Sequence, residues 1–380
     1  MSQKNRKLFE EVDAPTAAPA TTKGGLIDRR GSGARRGVRL WLMVLFVMVV
    51  TMIAVGGLTR LTDSGLSITE WRPVTGAVPP LSAKAWQSEF DKYREIPEYE
   101  LQNKGMTLGE FKVIYWWEWG HRQLGRAIGL VWALGFAGFA LARKIPPGWS
   151  GRLFLIGGLG GLQGAIGWWM VSSGLGSGMV DVASYRLAIH LGLAFVILGF
   201  IAWYVFLLGR SEPELMTARR GKDLKLFNMS TGLMHLAFVQ ILLGALVAGI
   251  DAGRSFTDWP LMGGQVFPAS AFVIEPFWRN FFENPGLVQF IHRMTAYVVL
   301  AFGVVVWLRG RRSANRGSVL AFNMMAAALA VQIVLGIATV YHAAPWHLAI
   351  GHQFLAVVLW VTIVRARFLS MYPASQSVRG

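Results

Sequence analysis

The apolar run LWLMVLFVMVVTMIAVGGL occupies residues 40–58 and decides the fold class, because it contains no charged side chain. A helix of about 20 apolar residues spans the roughly 30 Å hydrocarbon core of a bilayer. Similar runs recur along the chain and predict an all-α polytopic membrane protein with eight transmembrane helices. The predicted helices lie near 38–59, 113–142, 152–172, 186–209, 229–250, 286–308, 319–341 and 346–366.

The composition agrees with a bilayer environment. Of the 380 residues, 53% are hydrophobic and only 15% are charged, whereas an ordinary soluble domain carries roughly 25% charged residues. The chain contains no cysteine. Disulfides, iron–sulfur ligation, thiolate metal sites and cysteine nucleophiles are therefore excluded.

The positive charge of the chain predicts its orientation. The net charge of +16 lies in the two terminal segments and in the short loops on their side of the membrane, so the positive-inside rule makes both termini cytoplasmic. The pI of 10.6 raises the question of nucleic acid, but basic residues that flank spans serve topology and contact anionic lipid. We expect a lipid bilayer and no nucleic acid as partner, with the long loops 60–112 and 251–285 facing outward.

Each long outer loop carries the same short pattern, Gly65-Leu-Ser-Ile-Thr-Glu-Trp71 in the first and Gly253-Arg-Ser-Phe-Thr-Asp-Trp259 in the second. Matching residues continue into the helices. Because each copy holds an even number of helices, both copies enter the membrane in the same direction. The sequence thus predicts two parallel four-helix-bundle repeats. Within them His121-Arg122 recurs as His292-Arg293, and Gln163 with Gly167 recurs as Gln332 with Gly336.

The domain organisation that we predict follows from the repeats. It comprises a disordered cytoplasmic tail over 1–37, an N-terminal four-helix repeat over 38–209, a cytoplasmic linker over 210–228, a C-terminal four-helix repeat over 229–367 and a cytoplasmic tail over 368–380.

Four of the seven histidines head the even-numbered helices: His121, His190, His292 and His352. Each lies roughly one or two turns inside the outer end of its helix, where an unsatisfied polar group costs several kcal/mol. Interhelical hydrogen bonds are one explanation for each histidine taken singly. Four histidines at one depth, two in each bundle, match the axial ligation of iron in haem. Zinc or copper would need a shell of three or four ligands, which two imidazoles per bundle do not supply.

The remaining histidines lack this pattern. His235 has no counterpart in the other repeat, while His342 and His347 lie in or beside the short outer loop between the last two helices. We predict structural roles for all three.

The two halves differ one helical turn before the first histidine of each. Glu118 precedes His121 by three residues, but Gln289 holds this position before His292. A carboxylate near haem can move protons or stabilise a developing cation, whereas an amide can only form hydrogen bonds. The alternative is that Glu118 is solvated or paired with a neighbouring arginine. This asymmetry predicts chemistry in the first half, with Glu118 as the catalytic residue, and electron storage in the second.

The arginine that follows each histidine is a further candidate. Arg122 and Arg293 directly follow His121 and His292. A guanidinium matches the geometry of a carboxylate and so could bind a haem propionate. Orientation of the helix end is the other role that we consider for them.

Taken together, these features resemble the haem A synthases, membrane enzymes that oxidise the C8 methyl group of haem O to the formyl group of haem A. The resemblance covers nearly everything after residue 38. It rests on the eight spans in two repeats and on the paired outer-loop patterns. The other matching residues are Glu118-Trp-Gly-His121-Arg122, Ile291-His292-Arg293, His190 and His352.

The resemblance implies an assignment of the four histidines. His292 and His352 would be the axial ligands of a haem b cofactor in the C-terminal repeat. His121 and His190 would border the site of the substrate haem O in the N-terminal repeat, and Glu118 matches the functional carboxylate of the family. It further implies two successive hydroxylations, for terminal oxidase assembly, with electrons passed to an acceptor whose identity stays open.

The resemblance also suggests a location and partners. Some members carry a cysteine pair in an outer loop. This sequence lacks cysteine and looks more like the cysteine-free alphaproteobacterial and mitochondrial branch. The absence of an evident transit signal favours the bacterial inner membrane. Haem O synthase, oxidase assembly factors and a second copy of the chain are the candidate protein partners.

Two other functions stay open from the residues alone. A b-type bis-histidine dihaem membrane cytochrome would transfer electrons without modifying either haem, and only the difference between Glu118 and Gln289 argues against it. A repeat-built transporter would need a polar path through the midplane, yet the ionisable residues cluster near one surface.

Overall fold

The structure of the chain, a computed structural model, describes residues 26–176 and 178–376. Within these residues, eight helices are long and apolar enough to cross a membrane, which confirms the predicted fold class. We label them in chain order: α1 Leu26–Leu61, α2 Leu108–Leu141, α3 Ser150–Val171, α4 Ser184–Leu208, α5 Leu224–Gly249, α6 Pro285–Gly310, α7 Arg316–Tyr341 and α8 Trp346–Met371.

Local side-chain chemistry fixes where these helices begin. The hydroxyl of Thr107 accepts from the backbone N–H of Glu110, whose carboxylate accepts from the N–H of Thr107 in return. This capping box satisfies two N–H groups that the first turn of α2 would otherwise leave unpaired. The side chains of Asp223, Asn284 and Asn315 cap α5, α6 and α7 in the same position.

The helices pack as two rings of four. In the first ring each helix contacts the next along the chain, and α4 closes onto α1. In the second ring α5 to α8 follow the same order, and α8 closes onto α5. The rings meet through α1 and α4 on one side and α5 and α8 on the other. Consequently α2 and α4 lie opposite each other in the first ring, as α6 and α8 do in the second. The predicted repeat relation between the rings stays a prediction.

Aromatic side chains fill the contact between the rings. The indole of Trp360 on α8 lies 6.2 Å from the ring of Phe195 on α4 and 6.0 Å from that of Phe238 on α5. All three belong to, or pack against, a continuous apolar core. Extended ring contact of this kind stabilises a rigid interface. The two rings should therefore keep their histidines at fixed relative positions.

Short helices occupy the loops at the two ends of the bundle. At one end, which we call the long-loop end, Ala83–Tyr93 and Pro97–Leu101 lie between α1 and α2, and Asn280–Glu283 precedes α6. At the opposite end Glu212–Arg220 connects α4 to α5. At this end Arg35 on α1 contacts Glu212 at 2.6 Å.

The described helices cross three of the predicted boundaries. The tail predicted over 1–37 is helical from Leu26 onward, because hydrogen bonding in α1 continues past the apolar run; residues 1–25 lie outside the described residues. The linker predicted over 210–228 is largely helical, since Glu212–Arg220 and the start of α5 lie within it. Helix α8 continues to Met371, beyond the predicted end of the second repeat, and residues 377–380 of the second tail lie outside the described residues.

Candidate haem-binding sites

The four helix-heading histidines form two pairs. His121 on α2 faces His190 on α4, and His292 on α6 faces His352 on α8. Each pair belongs to opposite helices of one ring, so its two imidazoles approach each other across the interior of that ring. This arrangement favours pairing within each ring over pairing between the halves, the alternative that the sequence left open.

Each imidazole lies against a glycine of the neighbouring odd-numbered helix. A Cβ atom at Gly167, Gly244 or Gly336 would stand only 2.9–3.1 Å from Cε1 of the histidine that faces it. The absence of a Cβ atom permits this close approach of backbone and ring. The contacts are Gly56 with His121, Gly167 with His190, Gly244 with His292 and Gly336 with His352.

Three of the imidazoles are also held by a glutamine placed four residues before the glycine. The amide nitrogen of each glutamine lies 3.3–3.4 Å from Nε2 of its histidine. It also lies within hydrogen-bonding distance of the backbone carbonyl oxygen and of Nδ1 of that histidine. These distances are 3.0 and 3.2 Å for Gln163 at His190, 3.0 and 3.0 Å for Gln240 at His292, and 3.2 and 3.3 Å for Gln332 at His352.

The same three glutamines fit a histidine that ligates iron. Their amide oxygens are buried and have no hydrogen-bond partner in the part of the chain that the structure describes. A half-turn of each amide would exchange its nitrogen and oxygen. The amide would then lose its hydrogen bond to the backbone carbonyl oxygen of the histidine. Its own oxygen could instead accept from Nδ1–H of that histidine. A histidine bound to metal through Nε2 requires such a partner for its other nitrogen.

The donor set suits haem better than a bare metal ion. Over residues 26–176 and 178–376, no group of three or more His, Cys, Asp or Glu side chains could hold a metal ion. Haem iron needs only two axial ligands from the protein, and each ring supplies one pair of imidazoles. The residues present therefore fit haem in both rings.

Glu118 lies at the long-loop end of the first ring and is almost completely buried, with 2% of its surface exposed. Its carboxylate accepts from the Ser67 hydroxyl and the Ile68 backbone N–H, both at 2.7 Å. It also accepts from Nε and Nη2 of Arg122, at 3.1 and 2.6 Å. Four donors thus fix this carboxylate and join α2 to the repeated loop pattern. The alternative of a solvated carboxylate is excluded, and the alternative of pairing with arginine is observed.

The second ring repeats this junction without the carboxylate. The amide of Gln289 donates to the carbonyl oxygen of Phe256 at 3.0 Å, while its own oxygen is buried and unpaired among the described residues. Arg293 donates to the carbonyl oxygens of Phe256, Asp258 and Leu261 at 2.8–3.0 Å. A neutral amide therefore takes the place of the carboxylate where this loop contacts the second ring.

The arginines predicted to bind propionates are engaged with the loops. Arg122 donates to the carbonyl oxygens of Ile68 and Glu70, at 2.8 and 3.2 Å, in addition to its contact with Glu118. These carbonyls correspond to those of Phe256 and Asp258, which Arg293 binds. The geometry supports the role of orienting the loop and the helix end, which was the alternative considered for both arginines.

The other histidines lie away from the two pairs. Nδ1 of His235 contacts the carbonyl oxygen of Thr231 one turn earlier in α5, at 2.8 Å. Nδ1 of His342 makes the same contact with Ala338 at the end of α7. Both contacts are local to one helix, and His347 follows Trp346 at the start of α8. The structural role of these three histidines stays a prediction.

A buried acid that sequence reasoning missed lies in the first long loop. Glu98 is 3% exposed, and its Oε2 has no hydrogen-bond partner among the residues described. Burial, with the negative charges of Glu118, Asp181 and Asp63, raises the pKa of Glu98 to about 8. Tyr93 lies beside Glu98. Burial of the tyrosine hydroxyl, together with the negative charge of Glu98, raises the pKa of Tyr93 as well. Only packing of the loop identifies this group, because an isolated Glu in a polar segment is normally exposed.

This shifted pKa predicts a pH-dependent stability. The folded state binds the Glu98 proton more tightly than the unfolded state does, so wild-type stability should fall as pH rises from about 4.5 to about 8 and then level off. Glu98→Gln should unfold at a higher temperature than wild type at pH 8, with the difference shrinking toward pH 5. Thermal unfolding in detergent at both pH values measures this, with the exposed Glu100→Gln as control. A constant difference between Glu98→Gln and wild type at both pH values would contradict the assignment.

Sequence reasoning also missed Gln240. It matched Gln163 with Gln332 as repeated positions but assigned them no role, and it passed over Gln240. The signal that could have found it is the spacing Gln-x-x-x-Gly, which Gln240 and Gly244 share with the other two pairs.

Comparison with known proteins agrees with this architecture. A family model described as cytochrome oxidase assembly protein, COX15-CtaA, matches residues 39–364. A protein named Heme A synthase from Ruegeria sp. (strain TM1040) is 67% identical over 378 residues, which cover 99% of both chains. Proteins of the same name from Roseobacter denitrificans and Paracoccus denitrificans are 66% and 62% identical, over at least 98% of each chain.

Proposed function

Because the chain belongs to the COX15-CtaA family of cytochrome oxidase assembly proteins, we propose that it is a haem A synthase. In this reaction the C8 methyl group of haem O is oxidised to the formyl group of haem A by successive hydroxylations, for terminal oxidase assembly. The observation that carries the proposal is the pair of similarly built histidine sites, which differ in the residue one turn before the first histidine: Glu118 in the first ring and Gln289 in the second.

We propose that His292 and His352 are the axial ligands of haem b, and that His121 and His190 bind the substrate haem O. Both imidazoles of the second pair have a glutamine partner, which favours a permanently bound haem at this site. The first pair has a glutamine at one imidazole only. Haem b would supply one-electron redox chemistry when bound, taking electrons from the reaction toward an acceptor.

Glu118 serves this proposal as a positioning residue. A carboxylate that accepts four hydrogen bonds is held in one orientation, and it fixes Ser67 and Ile68 at the end of α2, one turn before His121. Arg122 and Arg293 hold the corresponding loop carbonyls. We propose this role for Glu118 instead of the proton transfer that the sequence suggested.

The remaining assignments belong to the same proposal. The ranges 38–209 and 229–367 would be the two repeats, in a bacterial inner membrane with both termini cytoplasmic. Contacts at the end opposite the long loops support the common side of the termini, because Arg210 donates to the carbonyl oxygens of Tyr372 and Pro373 after α8. An electron acceptor, haem O synthase, oxidase assembly factors and a second copy of the chain are the proposed partners.

Extraction of the bound haems tests this function. The protein would be purified from cells that make haem O, and its haems would be identified by chromatography and mass. We expect haem b together with haem A or a hydroxylated haem O. Haem b alone, with added haem O left unchanged under oxidising conditions, would support the dihaem cytochrome instead, and absence of all haem would exclude both functions.

A further inference from the structure

One of the four imidazoles lacks the support that the other three share. In α3, α5 and α7, a glutamine precedes the histidine-facing glycine by four residues. In α1 the corresponding residue is Met52, four residues before Gly56. Because residues four apart lie on one face of a helix, Met52 stands where an amide would otherwise reach His121.

The surroundings of His121 differ accordingly. The methyl group of Met52 lies against α2, 3.5 Å from the position of a Cβ at Gly125, one turn beyond His121. In the part of the chain that the structure describes, the imidazole of His121 has no hydrogen-bond partner, whereas Gln163 holds the opposite imidazole of His190.

This difference affects how firmly each ligand can hold iron. A hydrogen bond to the second nitrogen fixes the orientation of a ligating histidine, and loss of such a partner typically costs 10- to 100-fold in metal affinity. A thioether donates no hydrogen bond and is at most a weak acceptor. His121 is therefore the least restrained of the four ligands, and it lies in the half where a substrate must enter and a product must leave.

We propose that Met52 keeps His121 a displaceable ligand, so that haem is exchanged on the α1–α2 side of the first site while His190, held by Gln163, stays in place. This inference rests on the proposed function for the identity of the exchanging haem. It names Met52 and Gln163 as positioning residues that set the residence time of substrate and product.

The test measures loss of haem from the purified protein, independently of turnover. Protein loaded with haem O and haem b would be mixed with excess apomyoglobin as haem acceptor, and the haems that remain bound would be separated by chromatography over time. We expect Met52→Gln to slow the loss of haem O by about 10-fold or more and to leave the loss of haem b unchanged. Gln163→Met should accelerate the loss of haem O, and Met52→Leu, which adds no hydrogen bond, should behave as wild type.

The possible results separate this inference from the proposed function. Equal rates of haem O loss in Met52→Gln and wild type, with the haem b site intact, would overturn the inference even if haem A were formed. Slower loss of haem O in Met52→Gln, together with no conversion of haem O by the wild type, would support the inference and reject the synthase. A low-spin haem spectrum in Met52→Gln that matches the wild-type spectrum would exclude loss of His121 as a ligand.

Discussion

His292→Ala is expected to yield a folded protein that contains almost no haem b. The two imidazoles of the second ring supply the only axial ligands that we assign to this haem, and each is fixed by its own glutamine, Gln240 at His292 and Gln332 at His352. Loss of such an outer partner alone costs 10- to 100-fold in affinity, so loss of the ligand itself should exceed this range. His352→Ala should behave in the same way. The ratio of haem b to protein, from reduced-minus-oxidised spectra, measures the effect.

The control for this prediction lies on α5 of the same ring. His235 bonds to the carbonyl oxygen of Thr231 within its own helix, so His235→Ala should retain haem b at the wild-type ratio. His121→Ala should likewise keep haem b, because His121 belongs to the other ring. Retention of haem b in both His292→Ala and His352→Ala would contradict the assignment of the cofactor to the second ring.

The sequence predicted the eight long helices because each carries its own apolar run, which depends on no distant contact. It placed their ends less well. The prediction began α2 near residue 113, but the capping box of Thr107 and Glu110 starts the helix at Leu108. The short helices of the long loops were not predicted, since Ala83–Tyr93 is too polar to resemble a span and is stabilised by aromatic packing against α2, such as that of Phe90 on Phe111.

The sequence allowed prediction of those site residues that recur in both halves of the chain. The four histidines stand at matching positions, and the structure brings them together in pairs. Gln240 was not predicted as a site residue because its counterpart in the first half is Met52. A comparison of the two halves therefore shows a mismatch at that position. The contacts of Glu118 also lie outside sequence reasoning, since Ser67 is 51 residues away and only the fold of the loop brings its hydroxyl to 2.7 Å.

Glu118→Gln is expected to lower the rate of haem A formation by about 10- to 100-fold while haem b content stays at the wild-type level. The amide keeps one acceptor oxygen but replaces the other with an NH2 group, which would face the donors of Arg122 or Ser67 and Ile68. A hydrogen bond to a charged group contributes about 1.5–3 kcal/mol, and each 1.4 kcal/mol corresponds to about tenfold in rate. Product per protein, measured by chromatography of extracted haems, gives the effect.

A graded series distinguishes positioning by Glu118 from proton transfer. Ser67→Ala removes one of the four donors and should cause a smaller loss of rate, and Glu118→Asp, which retains the charge, should restore part of the activity lost in Glu118→Gln. The exposed Glu95→Gln serves as the control for removal of a carboxylate in the same half. If Glu118 only positions the loop, the remaining activity of Glu118→Gln should keep the wild-type pH–rate profile. Loss of one limb of that profile would instead assign Glu118 to proton transfer, because a group that moves a proton imposes its own titration on the rate.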